Sequence, residues 1–391
     1  MKKQHYIIIN LLFLGLMIFS AAMVTQFMTG YKPFDIVAGI WTQPKIEKVQ
    51  TEDCSTIAPL SNLSGSGVES LKKLAVYQQA CHSLATGTLM TFLSMPSDQA
   101  QAKQYAIEDA KLLKSFSAAS VRPLAVIEPT DKSGTNLDFA LFANGTYNSA
   151  TDAYFAQLKS EGITGKQLGI ITPFPEANLP YWNNNHPENF SPSVNNYLTI
   201  VRKHFPDAET SVLLNSATYD VSDFNWENGD YNSLIPYIKD IKPELITYAG
   251  LQGFPWISRQ GGKGVIFNAS EFLNPSILEE MAEKLKTKKV WFNTGTFSTK
   301  YTLDPKLMRT ITAQQRKEIL MTIKAQALSL KEKDLDVAIN IFAEDKSSES
   351  EETNWSYWAN DDPFSSPHAQ VITTFIKELR TNNIDFWLFD K

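Results

Sequence analysis

The residues best suited to chemistry lie in the segment Leu168–Trp182, LGIITPFPEANLPYW. The segment begins as an apolar, β-branched run that is typical of a buried strand, and two prolines then end that strand. Glu176 follows directly and can protonate a glycosidic oxygen, while Asn178 can bond a hydroxyl group and Tyr181 and Trp182 can stack on sugar faces. This combination favours a sugar-cleaving site. The alternative is an exposed loop glutamate beside rings that only cover the core.

The amino terminus predicts export. Lys2 and Lys3 precede an uncharged span, Tyr6–Tyr31, most of which is apolar. Positive charge before an apolar stretch is typical of a secretory signal, here with a cleavage site after Ala22, and the span is also long enough for an uncleaved membrane anchor. Residues 1–30 are therefore expected to be a signal peptide or an anchor in the membrane. The remainder is expected to be extracytoplasmic, either secreted or anchored.

The cysteines, the histidines and the net charge bear on disulfides, metal sites and nucleic-acid binding. Cys54 and Cys81 are the two cysteines, and in an exported chain they are expected to form one structural disulfide. The five histidines show no metal-ligand spacing, so neither a metal nor another cofactor is expected. The net charge of −6 gives no electrostatic footprint for nucleic acid, so no nucleic-acid partner is expected.

Eight short apolar strands alternate with helices or long loops. This alternation predicts an α/β fold, a single (β/α)8 TIM barrel over residues 31–391. The rival is a two-domain solute-binding protein, but no linker rich in Pro, Gly or Ser divides the middle of the chain. The predicted strands are Asp35–Trp41, Thr88–Met95, Val121–Ile127, the start of Leu168–Trp182, Thr210–Asn215, Leu245–Gly250, Lys289–Phe292 and Val337–Phe342.

Active sites of such barrels lie where strands end and the following loops begin. The polar side chains placed there are Glu128, Glu176, Asn178, Asp220, Asp223, Gln252, Asn293, Glu344 and Asp345. Aromatic residues occupy loops at the same end, and stacking on carbohydrate is the first interpretation of them; rings that pack over the barrel mouth are the second. The residues assigned to sugar binding are Asn178, Tyr181, Trp182, Trp226, Gln252, Trp256, Asn293 and Glu128.

From about Phe34 onward the chain resembles family 26 glycoside hydrolases, clan A barrel enzymes many of which cleave β-mannans or related β-glycans. In that family the fourth strand ends in His-Glu, followed by Asn-Gly and a Trp-rich loop, and the Glu is the acid/base. Glu176, Asn178 and Trp182 match this pattern, whereas Pro175 replaces the His and Leu179 the Gly. The resemblance implies that Glu176 is the acid/base.

The seventh predicted strand departs from that family. The family's nucleophilic Glu stands at the end of this strand, and here Asn293 takes its place. An amide cannot be the carboxylate that forms a glycosyl-enzyme intermediate. Three explanations are open: the second carboxylate lies on another strand, the protein binds glycans without cutting them, or the strand register differs from the predicted one.

Glu344 and Asp345 are the best candidates for a relocated carboxylate. They follow the last predicted strand, across the barrel from the strand of Glu176, and a wide separation suits inverting enzymes, which need about 6.5–9.5 Å between carboxyl groups. The first hypothesis is therefore an exported glycoside hydrolase-like protein that cleaves a polysaccharide, a β-mannan or related β-glycan, with Glu176 as acid. The second is a non-catalytic glycan-binding surface protein, and the third is the solute-binding protein.

Overall fold

The computed structural model of the chain describes residues 88–118, 121–130, 136–178, 187–220, 225–228, 231–254, 272–295, 300–301, 309–310, 312–342 and 367–389. All of them belong to one unit, Cys54–Lys391. The predicted N-terminal segment, the strand Asp35–Trp41, the domain boundary at residue 31 and both cysteines lie outside the described residues and stay predictions. No helix within the described part combines the length and the apolar character that a membrane span needs.

Eight parallel strands form a closed barrel, which confirms the predicted (β/α)8 fold. Neighbours along the chain pair with each other, and the last strand pairs with the first, with Trp387 opposite Thr88. A single closed barrel excludes the two-lobed architecture of a solute-binding protein. The strands are β1 (Thr88–Phe92), β2 (Arg122–Ile127), β3 (Ile170–Pro173), β4 (Glu209–Asn215), β5 (Tyr248–Gln252), β6 (Lys289–Thr294), β7 (Asp336–Phe342) and β8 (Asp385–Phe389).

The strand count needs one correction. The closed barrel consists of seven strands that the sequence predicted and of Asp385–Phe389, which it did not predict. Glu176 therefore follows the third strand rather than the fourth, and Asn293 lies in the sixth rather than the seventh. The two residues remain three strands apart, so the correction places no carboxylate where Asn293 stands.

Helices and short turns connect the strands. The helices are α1 (Gln99–Ala118), α2 (Phe139–Ala143), α3 (Asn148–Ser160), α4 (Gly165–Leu168), α5 (Pro187–His204), α6 (Tyr231–Ile238), α7 (Pro275–Lys284), α8 (Ala313–Lys331) and α9 (Pro367–Thr381), with a 3-10 turn at Pro243–Leu245. Two antiparallel pairs lie outside the barrel: Ala217–Asp220 with Asn225–Asn228, and Lys300–Tyr301 with Arg309–Thr310.

Alternation along each strand divides the apolar side chains between two cores. One set packs under the helices, and the other fills the barrel interior around Trp291 and Trp387, whose ring centroids are 5.6 Å apart. Trp291 is fully buried, and its Nε1 donates to Ser211 Oγ at 2.8 Å. Gly250 makes room for this ring, because a Cβ there would lie 2.5 Å from Trp291 Nε1. The interior at this level is a packed floor.

Charged side chains cluster at the amino end of the barrel. Glu209 at the start of β4 forms ion pairs with Arg122 and with Lys289, the latter at 2.9 Å. The Lys289 ammonium also lies 5.1 Å from the centre of the Tyr248 ring, whose hydroxyl donates to Glu209 at 3.4 Å. Because this end is occupied by a cluster of ion-paired side chains on the opposite side of the aromatic floor, a ligand site is expected at the carboxyl ends of the strands.

A second polar group lies in the helical layer. Asp109 on α1 accepts hydrogen bonds from the Ser94 backbone N–H at 2.9 Å and from the Tyr154 hydroxyl at 2.7 Å. Burial first, and then the charge of Asp109, raise the pKa of Tyr154 and of Tyr197 above the usual range of a phenol. Both phenols therefore stay neutral and serve the packing of helices against the barrel.

Candidate functional site

Four side-chain amides lie side by side at the carboxyl end of the barrel. The strand register places Asn215 opposite Gln252, Gln252 opposite Asn293, and Asn293 opposite Asn340. We call these four residues, one from each of the strands β4 to β7, the amide row. All four are buried, with exposed fractions between 0% for Asn340 and 7% for Gln252. Buried amides need hydrogen-bond partners, and these four find them in one another and in Glu176.

The hydrogen bonds of the row run in one direction and end on Glu176. Asn340 Nδ2 donates to Asn293 Oδ1 at 2.6 Å, Asn293 Nδ2 donates to Gln252 Oε1, and Gln252 Nε2 donates to Glu176 Oε1. From the other side, Asn215 Nδ2 donates to the same Glu176 oxygen at 3.1 Å. Glu176 is half-buried. Its Oε1 thus accepts hydrogen bonds from two side-chain N–H groups of the amide row.

The turn that carries Glu176 has an uncommon backbone. Phe174 and Glu176 have φ angles of 53° and 55°, in the left-handed region that costs a non-glycine residue about 1–2 kcal/mol. Two backbone bonds hold the turn, from Phe174 N to Ile127 O at 2.8 Å and from Glu176 N to Leu213 O at 3.0 Å. Such conformations persist where the surroundings over-determine them, and they cluster at functional sites.

The ring of Phe174 anchors this turn in the helical core. It is fully buried, with its centroid 5.2 Å from that of Phe139, 4.8 Å from that of Phe142 and 5.5 Å from that of Tyr197. The ring packs outward against α2 and α5 while the next-but-one residue, Glu176, bonds to groups inside the barrel. The short helix α2, which the sequence did not predict, therefore helps to position the carboxyl group.

Asn178 fastens the end of the turn to β4. Its Nδ2 donates to the Asn215 backbone oxygen at 2.8 Å, and its Oδ1 accepts from the Asn215 backbone N–H at 2.9 Å. The side-chain amide thus extends the pairing between β3 and β4 beyond the end of β3. The sequence predicted Asn178 as a sugar ligand; the contacts in the structure give it the task of holding Glu176 and Asn215 together.

Replacing Asn178 with Ala should loosen the site. The change leaves the backbone N–H and C=O of Asn215 without these partners, so we expect the free energy of unfolding to fall by about 2 kcal/mol. Asn195→Ala is the matched control, because Asn195 makes the same pair of bonds to Asp240 O and Lys242 N on the surface. Denaturant unfolding measures both variants, and hydrogen exchange at the Asn215 backbone amide should become faster in Asn178→Ala alone. An unchanged exchange rate at Asn215 in Asn178→Ala would contradict this role of Asn178.

Of the other predicted site residues, the structure describes some, and the rest lie outside the described part of the chain. Glu128 directly follows β2 and is half-buried, beside the strand of Glu176, whereas Gln252 and Asn293 lie within β5 and β6 rather than after them. Trp226 lies on the strand Asn225–Asn228, of which the backbone is described. The remaining predictions fall outside the described residues: Tyr181, Trp182, Asp223, Trp256, Glu344 and Asp345.

Sequence reasoning missed Asn215 and Asn340. A usable signal was present, because Asn340 interrupts the apolar run Val337–Phe342 and a buried strand rarely carries an amide without a partner. As for metals, the described side chains contain no group of three His, Cys, Asp or Glu residues that could hold an ion.

Comparison with known proteins finds only distant similarities in structure. No protein-family model matches the chain, and no curated protein matches its sequence significantly. Among solved structures, it is similar to the family 1 β-glucosidase from Thermotoga maritima, with a TM-score of 0.47 and 12% identity over 81% of this chain and 85% of that chain. The complex of that family 1 enzyme with isofagomine lactam gives 0.47 and 12% over 84% and 88%, and a β-glucosidase of the same organism with castanospermine gives 0.46 and 12% over 76% and 83%.

A structural similarity with so low a TM-score and identity says nothing about the activity of this chain. The barrel itself rests on the strand pairing of this chain, and the resemblance to family 26 enzymes stays a prediction.

Proposed function

We propose that this chain is an exported glycoside hydrolase that cleaves O-glycosidic bonds of a polysaccharide, a β-mannan or a related β-glycan. The observation that carries the proposal is the placement of Glu176. A carboxyl group stands at the carboxyl end of a barrel strand, on a left-handed backbone that costs free energy, and two amides fix one of its oxygens. Enzymes place general acids in this way, at energetic cost and in a fixed orientation.

Glu176 is the proton donor in this mechanism. Because Oε1 accepts from Gln252 and Asn215, the catalytic proton is carried by Oε2. Transfer of that proton to the glycosidic oxygen accompanies cleavage of the bond to the anomeric carbon, and the leaving sugar departs as a neutral alcohol. The second carboxylate takes a proton from water, and the water oxygen bonds to the anomeric carbon.

Glu344 or Asp345 is the proposed second carboxylate. Both follow β7, which lies opposite β3 in the closed barrel, four strands away in either direction. A position across the barrel leaves space for a water molecule between the two carboxyl groups, so the proposed reaction inverts the anomeric configuration. The amide at position 293 needs no replacement in this scheme, because no covalent intermediate forms.

Sugar binding is assigned to the residues around this pair. Gln252 and Asn293 bond each other, yet each amide nitrogen has a second N–H that can donate to a sugar hydroxyl. Tyr181, Trp182, Trp226 and Trp256 are proposed to stack on sugar rings at the same end of the barrel. Glu128 is proposed to accept from a hydroxyl group. Export, by a cleaved signal or a retained anchor within residues 1–30, and the Cys54–Cys81 disulfide belong to the same proposal.

A non-catalytic glycan-binding protein is the second candidate function. One observation favours it: an amide, Asn293, occupies the place of the nucleophile in the family that the sequence resembles, and it is hydrogen-bonded on both sides by other amides. A protein of this kind would keep the barrel and the sugar contacts without turnover.

A glycan panel separates the two functions. The purified chain is incubated with β-mannans, β-glucans, xylans and cell-wall glycans, and released reducing ends are measured together with binding. We expect release from at least one β-linked glycan, with a product of inverted anomeric configuration in the NMR spectrum taken before mutarotation. Binding without release on every glycan would establish the second candidate, and neither binding nor release would overturn both.

A further inference from the structure

The orientation of each amide in the row is set from one end. An ionised carboxylate only accepts hydrogen bonds, and the carbonyl-like oxygen of a protonated one does the same. Glu176 Oε1 therefore requires Gln252 to present its NH2 group, which leaves Gln252 Oε1 facing Asn293. Asn293 must then donate to Gln252, and its own oxygen must accept from Asn340. Reversal of one amide would require the reversal of all three.

Asn340, at the far end of the row from Glu176, is hydrogen-bonded through its NH2 group. Its Oδ1 is buried and has no hydrogen-bond partner among the described residues, and an unsatisfied buried acceptor costs about 1–3 kcal/mol. Asn340 carries this free-energy cost at its Oδ1, while its Nδ2 donates a hydrogen bond to Asn293 Oδ1 at 2.6 Å. The NH2 group of Asn340 is thus the end of the amide that contributes to the row.

We propose that Asn340 and Asn293 are positioning residues that act through Gln252 to hold Glu176 Oε1 as a hydrogen-bond acceptor, so that the catalytic proton resides on Oε2. Neither asparagine needs to touch substrate for this role. Chains of hydrogen bonds polarise one another, which strengthens each bond by about 10–30%, and the last bond of this chain is the one to the carboxyl group. The inference rests on the proposed function only in taking Glu176 as the acid.

The nearby charges are the same in every variant needed for the test. The row itself is neutral, and Glu128, the carboxyl group that follows the adjoining strand β2, is left unchanged. A difference in the proton affinity of Glu176 between variants therefore reports on the row.

The experiment is a titration of the Glu176 carboxyl group in the full chain, followed by its infrared band and identified by the loss of that band in Glu176→Gln. Each substitution replaces an amide with Leu and weakens the donation to Oε1, which favours the protonated form. We expect the proton affinity of Glu176 to rise about tenfold in Gln252→Leu and about two- to threefold in Asn340→Leu, with Asn293→Leu between them.

Two controls separate positioning from general disturbance. Thr294→Val also removes a buried polar atom without a partner, next to Asn293 but on the other face of β6, and should leave the titration unchanged. In a Gln252→Leu background the row is already cut, so Asn340→Leu should add nothing.

An Asn340→Leu titration equal to that of Thr294→Val, or a shift that persists in the Gln252→Leu background, would overturn the proposal. Asn340→Ser, which keeps a donor of smaller size, supplies the measurement if the leucine variant fails to fold, and its shift should then be smaller than that of Asn293→Leu. The titration needs no substrate, so a failure to find hydrolysis leaves this test intact.

Discussion

Glu176→Gln should lower kcat on any glycan that the wild-type chain hydrolyses by about 10²- to 10⁴-fold, the usual contribution of a positioned general acid. The substitution is nearly isosteric, and the oxygen of the new amide can still accept from Gln252 and Asn215. The fold and the glycan affinity should therefore remain close to those of the wild type. Steady-state kinetics, binding and denaturant unfolding measure the three quantities side by side.

The pH dependence gives the same prediction a second readout. A general acid must carry its proton, so the wild-type rate should fall as pH rises through the titration of Glu176, and the residual activity of Glu176→Gln should lack that fall. Glu244→Gln is the control, because Glu244 is exposed and precedes β5 at the opposite end of the barrel. Wild-type turnover in Glu176→Gln would remove Glu176 from the mechanism.

Trp291→Ala should produce the largest loss of stability, a fall of about 3–5 kcal/mol in the free energy of unfolding. The ring is fully buried, contacts Trp387 and donates to Ser211. Its removal leaves a cavity directly below the amide row, because Gly250 beside it has no side chain to fill the space. Thermal and denaturant unfolding measure the loss.

Trp291→Phe is the informative partner of that variant. It keeps most of the ring volume and loses the bond to Ser211, so we expect a smaller fall, about 1–2 kcal/mol. If Trp291→Ala cost no more than Trp291→Phe, the interior would be able to collapse around the cavity, and the ring would not be the support of the site that its position indicates.

Much of the fold follows from the sequence because its main signals are local. Short apolar runs separated by amphipathic helices predict a parallel barrel, and seven of the eight predicted strands lie where they were expected. The eighth, Asp35–Trp41, lies outside the described residues. The strand Asp385–Phe389 was not predicted, because it is short, follows the last helix, and comes after eight candidate strands had been counted.

The site was less accessible to sequence reasoning. Glu176 was found from its place after a strand, but the turn that holds it depends on two left-handed residues that carry no glycine signal. The amide row depends on register: Asn215, Gln252, Asn293 and Asn340 are far apart in the chain and become neighbours only when four strands align. Local periodicity contains no information about that alignment.

The closure of the barrel by β8 has a consequence for folding. The first strand finds one of its two partners only when residues at the far end of the chain arrive, since Thr88 pairs with Trp387. Contacts of such long range are slow to form, and until they form β1 and β7 remain open edges that can pair with other chains. Pairing of β8 with β1 and β7 removes both edges, so we expect aggregation during folding to decrease once this last strand is in place.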